Sequence, residues 1–328
     1  MTRDDEILEQ CLPGRSAAIM TLKGVVKNVA RLPYPVLILG DMGVGKGMVA
    51  KAIHEMSGRK CFTILSSTVI PDNLIEAELF GFSKGAFSGA QVSSPGLLIN
   101  TGDGTILIDQ VNEMSELLQA KLLRVLEEGK IRSLGETILR PILARFIFAA
   151  HTSLLQQVKE GRFRQDLFFR INTIEIRVPS LSERREDIPV LARAILHTLH
   201  PSLTLGEDAL ATLRNREYRG NLWELKNLLT VAALHNVPVL RAKHIPGEEG
   251  AAILENPAAV FAVSSPQEVK PLREVVETYL RRVMELCGGN KTLAAKLLQI
   301  DRVTLYKRLG LFKNHQGDAT GDAVSDAA

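Results

Sequence analysis

The sequence predicts an α/β protein with a largely parallel sheet, followed by a small all-α unit and a C-terminal helix pair. Between Pro35 and Ile176, the short apolar runs VLIL, TILI, ARFIFAA and TIEIRV alternate with longer segments of helical period such as SELLQAKLLRVLEEG. This alternation is typical of parallel strands joined by helices. From about Ser182 to Leu240 the period is helical only, and residues 247–268 have the Gly, Pro, Ser and Ala content of a linker.

The bulk composition indicates a globular protein of more than one domain. The chain has 328 residues, 45% of them hydrophobic and 23% charged. Its net charge of +3 is too small to indicate nucleic-acid binding unless the basic residues are clustered. The three cysteines, Cys11, Cys61 and Cys287, are far apart and lack CxxC spacing, which argues against disulfides and zinc. With an acidic start and no long apolar run, we expect a cytoplasmic protein without a membrane partner.

A glycine-rich segment follows the first predicted strand and precedes a segment of helical period, MVAKAIHEM. This context predicts a phosphate-binding loop, in which backbone N–H groups surround phosphate oxygens and a lysine reaches the terminal phosphates. The alternative is a glycine-rich turn without a ligand, but strand, spacing, lysine and helix coincide here. The predicted cofactor-binding residues are Gly40, Asp41, Met42, Gly43, Val44, Gly45, Lys46 and Gly47.

A second buried strand, ILID, ends in Asp109. After a phosphate loop, this pattern predicts the Walker B carboxylate that holds Mg²⁺. By itself the pattern is weak, because many strands end in a solvated aspartate.

Seven segments then occur in a characteristic order: GDMGVGKG, ELFGFSKGAFSGA, GTILIDQVNEM, KLLRVLEEG, GRFRQDLFFRIN, SERREDIPVL and RGNLWELKN. Together they resemble the sigma-54-dependent transcription activators, or bacterial enhancer-binding proteins, of the AAA+ family, and most of all the members without an N-terminal receiver domain. The resemblance runs from about Gly14 to Leu311. It implies ATP and Mg²⁺ as cofactors, sigma-54 RNA polymerase as a partner, and a homo- or hetero-hexameric ring.

The resemblance assigns the sigma-factor contact to the loop GAFSGA. Flanking glycines allow a tight tip, and Phe87 presents an apolar ring that gains most by meeting a partner. A purely structural glycine loop is the alternative. The assigned residues are Gly85, Ala86, Phe87, Ser88, Gly89 and Ala90.

Two arginines, Arg164 and Arg170, match the family's arginine fingers, which reach the nucleotide site of a neighbouring subunit and imply a ring. The alternative is that they form surface ion pairs, for example with Asp166.

The hydrolytic residues depart from the family pattern. Gln110 follows Asp109 where the family has Glu, and an amide holds a water molecule but does not accept its proton. Losing a general base costs about 10²- to 10⁴-fold in rate. Glu113 is a second, less favoured candidate for the general base. We therefore assign Asp109, Gln110, Arg164 and Arg170 to the catalytic positions and leave ATP hydrolysis undecided.

Other polar positions have also changed. Gly47 stands where the family usually has Glu. The asparagine that senses the γ-phosphate aligns with Ser66, the sensor I pair with Ala150 and His151, and the sensor II arginine with Trp223. Either hydrolysis is slow and rescued by other groups, or the chain is a hydrolysis-deficient, ATP-binding co-regulator or repressor in a mixed ring with an active paralogue. An AAA+ chaperone or protease subunit is disfavoured by the sigma loop and the C-terminal segment.

The C-terminal segment NKTLAAKLLQIDRVTLYKRL predicts a helix-turn-helix, with Asn290 and Asp301 as N-caps. It resembles the Fis-type domain of the same family. Ten Lys and Arg against four Asp and Glu between Lys270 and Lys313 fit binding to double-stranded DNA, although a helical hairpin with a solvated basic face is the alternative. The predicted DNA-binding residues are Arg302, Thr304, Tyr306, Lys307 and Arg308.

The complete prediction divides the chain into six segments. They are an N-terminal tail (1–13), the AAA+ α/β nucleotide-binding subdomain (14–178), the AAA+ helical lid (179–246), a linker (247–268), the helix-turn-helix domain (269–313) and a disordered tail (314–328).

Overall fold

The structure is a computed structural model that describes residues 2–66, 72–87, 90–235 and 237–246, together with Lys291 and Leu305. The chain divides into two compact units, Met1–Ala251 and Ala252–Ala328. The fold of the first unit is described below. In the second unit, Lys291 and Leu305 lie in helices and Leu305 is fully buried. The rest of the predicted helix-turn-helix lies outside the described residues.

A central sheet of five parallel strands organises the first unit. The strands along the described chain are β1 (Val36–Leu39), β2 (Phe62–Ser66), β3 (Thr105–Asp109), β4 (Lys130–Ile131), β5 (Arg140–Pro141), β6 (Arg145–Ala150), β7 (Ile174–Arg177), β8 (Thr204–Leu205) and β9 (Val239–Leu240). The order across the sheet is β2, β3, β6, β1, β7. All four strands predicted from apolar runs are confirmed. Strand β2, which lies at one edge of this sheet, is not among the predicted strands.

Helices cover the sheet and form the lid. They are α1 (Arg3–Cys11), α2 (Ala17–Val29), α3 (Lys46–Ser57), α4 (Asp72–Phe80), α5 (Leu97–Asn100), α6 (Glu116–Glu128), α7 (Leu154–Lys159), α8 (Gln165–Ile171), α9 (Ile188–Leu199), α10 (Glu207–Asn215) and α11 (Asn221–Ala233), with short 3₁₀ turns at Val111–Glu113, Ser182–Asp187 and Ala242–His244. Among the described residues, no helix combines the length and apolar character needed to cross a membrane.

Local chemistry explains where the clearest of these helices begin and end. For α6, the Ser115 hydroxyl accepts a hydrogen bond from the backbone N–H of Leu118, and Gly129 ends the helix in a left-handed conformation. Both are common helix-end devices. Between these ends, Leu118, Leu122 and Val125 are buried on one face, as the helical period of this segment predicts.

The N-terminal residues are part of the folded unit. Residues 3–11, predicted to lie in an N-terminal tail, instead form α1, and Ile7, Leu8 and Cys11 are buried in one apolar cluster with residues of α2 and α3. Two ion pairs also join α1 to α2, Glu9 with Lys23 and Asp5 with Lys27, and a third joins Asp4 of α1 to Arg31, two residues after α2. The acidic start that argued against a secretion signal is thus one side of a helix–helix contact.

The lid (residues 179–246) has its own apolar core. Leu191, Leu213, Leu225 and Leu229, from α9, α10 and α11, are buried in it. The helical prediction for this segment is confirmed, with one correction to its all-α character: β8 and β9 form a two-residue parallel pair. Strands this short carry too few residues to produce a period of two in the sequence.

A buried carboxylate joins the lid to the segment before α2. Asp187 accepts hydrogen bonds from the backbone N–H groups of Arg15 (2.7 Å) and Ser16 (2.9 Å) and from the Ser16 hydroxyl (2.5 Å). Both Asp187 and Ser16 are 2% exposed. Water therefore does not replace these hydrogen bonds when the carboxylate is removed.

We predict that Asp187→Ala lowers the free energy of unfolding by about 2 to 4 kcal/mol, because it leaves buried donors without an acceptor. Urea denaturation followed by circular dichroism measures the change. The matched control is Glu186→Ala, since Glu186 is exposed and its removal should change stability by less than about 0.5 kcal/mol. Equal unfolding midpoints for the two variants would contradict the role of Asp187.

Candidate functional site

The predicted phosphate loop connects β1 to α3 at the carboxyl end of the parallel sheet. Strands β3 and β6 end at the same edge, with Asp109 and Ala150 as their last residues. Crevices outside the carboxyl ends of parallel strands are the usual ligand sites of such sheets. The predicted loop and the predicted Walker B carboxylate are therefore brought together at one edge.

The loop backbone needs glycine at two positions. Gly43 has φ +74° and Gly45 has φ +104°, both in the range that side chains rarely adopt. A Cβ atom built on Gly43 would lie 2.2 Å from the carbonyl oxygen of Gly220 in the lid, so space also excludes a side chain there. Gly47 differs, because a Cβ atom there meets no heavy atom within 4 Å.

Lys46 is the first residue of α3, and its ammonium group turns back into the loop. Its Nζ donates to the carbonyl oxygens of Gly40 (2.8 Å) and Asp41 (3.0 Å). Burial lowers the pKa of Lys46, while the carboxylates of Asp109 and Asp41 oppose this shift. A cation held in this way is placed to meet an anion bound within the loop.

The lid supplies donors to the next three carbonyl groups of the loop. The Asn221 side-chain amide donates to Met42 O (2.9 Å), and the Leu222 backbone N–H donates to Gly43 O (2.9 Å). Arg184 donates to Val44 O (2.8 Å). Because the carbonyl of one residue and the N–H of the next point in opposite directions, the N–H groups of the residues from Gly43 to Gly45 point away from these lid donors.

Asp109 and Gln110 follow directly on β3. The backbone N–H of Gln110 donates to Asp109 Oδ1 at 3.0 Å. Burial raises the pKa of Asp109, and the Lys46 ammonium and this hydrogen bond oppose the shift. Gln110 itself has φ +57°, a left-handed conformation uncommon for a residue with a side chain. The position that would carry a catalytic carboxylate thus has an unusual backbone and a neutral side chain.

The groups that surround Asp41 have no role predicted from the sequence. The Thr152 hydroxyl donates to Asp41 Oδ1 at 2.9 Å, and His151 Nε2 lies 3.7 Å from the same oxygen. The His151 backbone N–H donates to Asn112 Oδ1 at 3.1 Å. These contacts tie the end of β6 to the phosphate loop and to the turn after Gln110. The sequence did contain a signal for the contact between β6 and the phosphate loop, because His151 aligns with the sensor I position of the family.

The two predicted arginine fingers lie at either end of α8. Arg164 forms an ion pair with Asp166 at 2.8 Å, which is the predicted alternative to a role as an arginine finger. Arg170 is exposed and donates to the carbonyl oxygen of Leu126 at 2.8 Å. Within this chain, both guanidinium groups are held by their own subunit through contacts at the surface.

The described part of the GAFSGA loop is a compact turn. Gly85 N–H donates to Ala90 O (2.9 Å), and Ala90 N–H donates to Phe87 O (3.0 Å). Phe87 is 42% exposed, and its ring meets that of Phe82 edge to face at a centroid distance of 5.0 Å. Ser83 donates through its backbone N–H and its hydroxyl to Leu134 O, in the segment between β4 and β5. Ser88 and Gly89 lie outside the described residues.

The predicted DNA-binding residues Arg302, Thr304, Tyr306, Lys307 and Arg308 also lie outside the described residues, so their role stays a prediction.

Three family models match successive parts of the chain. The sigma-54 interaction domain matches residues 12–177, the AAA+ ATPase lid domain matches residues 182–256, and the bacterial regulatory protein, Fis family, matches residues 272–311. The first of these matches alone spans about half of the chain.

Curated relatives and solved structures agree with these matches. The chain is 36% identical over 304 residues to the transcriptional regulatory protein ZraR of Escherichia coli, covering 90% of this chain and 67% of ZraR. It is 33% identical over 323 residues to GlrR of Escherichia coli, covering 96% and 70% of the two chains. The structure of NtrX from Brucella abortus in complex with ATP matches with a TM-score of 0.65 and 28% identity, covering 94% of this chain and 71% of NtrX. The structure of NtrX in complex with ADP gives a TM-score of 0.66 with 29% identity, covering 94% and 72%. The chain therefore belongs to the sigma-54-dependent transcription regulators, with a parallel-sheet AAA+ core, a lid domain and a Fis-type DNA-binding domain.

Proposed function

We propose that this regulator binds ATP at its phosphate loop, contacts sigma-54 through the GAFSGA loop and is held on upstream DNA by its C-terminal domain. The proposal of ATP binding rests on one observation: the backbone carbonyl oxygens from Gly40 to Val44 all accept hydrogen bonds from Lys46 or from the lid. With these carbonyls occupied, the loop offers N–H groups and the Lys46 ammonium to an anion. This arrangement fits the phosphates of a nucleotide.

The residues present fit ATP with Mg²⁺. Lys46 would meet the terminal phosphates, and Asp109 would hold the metal ion, which commonly takes one or two carboxylates together with phosphate oxygens. When bound and hydrolysed, ATP would supply the free energy that drives remodelling of polymerase. The solved NtrX complexes with ATP and ADP support nucleotide binding in a related fold.

Gly43→Ala should weaken ATP binding at least tenfold, because the new Cβ would meet Gly220 O at 2.2 Å and φ is +74°. Titration with a fluorescent ATP analogue measures the affinity. The matched control is Gly24→Ala, on an exposed position of α2 outside the loop and with open space around the added methyl group, and we expect its affinity to stay within twofold of wild type. If both variants bind equally well, the loop is not the nucleotide site.

A partner contact at the sigma loop is supported by the exposure of Phe87, next to the hydrogen bond that joins Gly85 to Ala90. An aromatic ring at an exposed tip gains free energy when a partner buries it. We propose sigma-54 as that partner, which is supported by the match of residues 12–177 to the sigma-54 interaction domain.

The whole proposal is tested by promoter opening in a reconstituted system of polymerase, sigma-54, ATP and DNA with the upstream site. We expect Phe87→Ala to abolish the open complexes formed with wild type while ATP affinity is unchanged. Val92→Ala removes another exposed apolar side chain, 71% exposed, and should retain activity as the control. Open complexes formed equally well by Phe87→Ala would reject the sigma contact.

A second candidate function rests on Gln110. In this alternative the chain binds ATP without useful hydrolysis and acts as a co-regulator or repressor in a mixed ring beside an active paralogue. The neutral amide of Gln110 supports this alternative, because the chain lacks the general base for hydrolysis but keeps the GAFSGA loop and the two predicted arginine fingers. A homo- or hetero-hexameric ring, with Arg164 and Arg170 offered to a neighbour, remains part of both candidates.

Gln110→Glu separates the two candidates. If the missing carboxylate limits turnover, steady-state phosphate release should rise by about 10²- to 10⁴-fold, and Lys46→Ala in the same background should abolish the gain. Rapid phosphate release by wild type alone would reject the hydrolysis-deficient candidate. Stimulation of release by added active paralogue would support the mixed ring.

Cytoplasmic location, the absence of a membrane partner, DNA contact through the helix beginning near Arg302, and the domain boundaries stay predictions from the sequence.

A further inference from the structure

We propose that Arg184 and Asn221 of the lid are positioning residues that hold the phosphate loop in its nucleotide-binding shape. The inference rests on the proposed binding of ATP at this loop. We propose that neither residue touches the nucleotide itself and that both act through the shape of the loop.

Three consecutive loop carbonyls accept hydrogen bonds from the lid. Those of Met42 and Val44 accept from the side chains of Asn221 and Arg184, at 2.9 and 2.8 Å. The carbonyl between them, that of Gly43, accepts from the backbone N–H of Leu222 at 2.9 Å. The lid is therefore bonded to every peptide unit in the middle of the loop.

Both side-chain donors are fixed in place. Arg184 and Asn221 are each 3% exposed. Asn221 Oδ1 also accepts from the backbone N–H of Leu181 at 2.8 Å, so its amide bridges the start of the lid and the loop. Its backbone is left-handed, with φ +52°, a conformation that Asn and Asp tolerate better than other residues with side chains.

The lid and the loop are also in close backbone contact. The carbonyl oxygen of Gly220 lies 2.2 Å from the place where a Cβ of Gly43 would be. Backbone groups this close do not shift independently, so the position of the lid sets the orientation of the loop's peptide planes. The direction of the loop N–H groups then depends on the lid, and with it the affinity for phosphate.

Two substitutions remove the side-chain donors with little change in shape. Asn221→Asp keeps an acceptor for Leu181 N–H and tolerates the left-handed backbone, but places an oxygen beside Met42 O. Arg184→Met removes the guanidinium, and Arg184→Lys restores a cationic donor. Arg185→Met and Asn215→Asp make the same changes at exposed positions of the lid and serve as matched controls.

Three measurements on the full chain test the proposal. ATP titration followed by tryptophan fluorescence reports affinity, because Trp223 is the single tryptophan and its Cβ borders the loop at Gly43. Hydrogen exchange of the peptide covering residues 41–47, without nucleotide, reports the rigidity of the loop. Thermal unfolding shows that each variant is folded.

We expect Asn221→Asp and Arg184→Met to weaken ATP binding at least tenfold and to accelerate exchange in the loop peptide. Arg184→Lys should recover part of both, and the control variants should match wild type. Folded variants with wild-type affinity and exchange would overturn the proposal, and if Arg184→Met does not fold, Asn221→Asp decides alone. If wild type binds no ATP, the proposal of nucleotide binding fails. In that case, faster hydrogen exchange of the loop in Asn221→Asp would still support the proposal that the lid holds the loop in shape, and unchanged exchange would overturn that proposal.

Discussion

The parallel arrangement of the sheet is the constraint on which the other features depend. Because all five strands run in the same direction, the ends of β1, β3 and β6 lie at one edge, where the chain must turn toward a helix or a loop. The apolar strand residues are buried between helices, whereas the first polar residues after them, Asp41, Asp109 and His151, are left at that edge. Residues far apart in the sequence meet there for a purely topological reason.

The lid completes this edge by satisfying the loop backbone. A glycine-rich loop has backbone carbonyls that must be hydrogen-bonded wherever water is excluded. Here Lys46 donates hydrogen bonds to two of these carbonyls, and the lid donates to three. The same interactions stabilise the contact between two subdomains and leave the opposite face of the loop for an anion. Fold stability and site geometry thus share one set of hydrogen bonds.

The sequence was most informative where period and motif agree. Strands β1, β3, β6 and β7 are apolar runs of the right length, and the loop, its lysine and Asp109 follow from their context. Strand β2 was missed because Thr63 and Ser66 interrupt its apolar residues at an edge of the sheet. Helix α1 was missed because its charged residues outnumber the three that it buries. The roles of Asn221 and Arg184 depend on contacts across more than 130 residues of sequence, as the separations of 179 and 140 positions from Met42 and Val44 show, and no local pattern reveals such contacts.

The edge-to-face contact of Phe87 with Phe82 affects how a partner is recognised. A ring that already rests against a neighbour samples fewer rotamers than a free one, so less conformational entropy is lost when it is captured. Recognition then depends on an aromatic side chain whose orientation is already set before binding. A partner with a pocket that matches this orientation is favoured over one that binds a different rotamer.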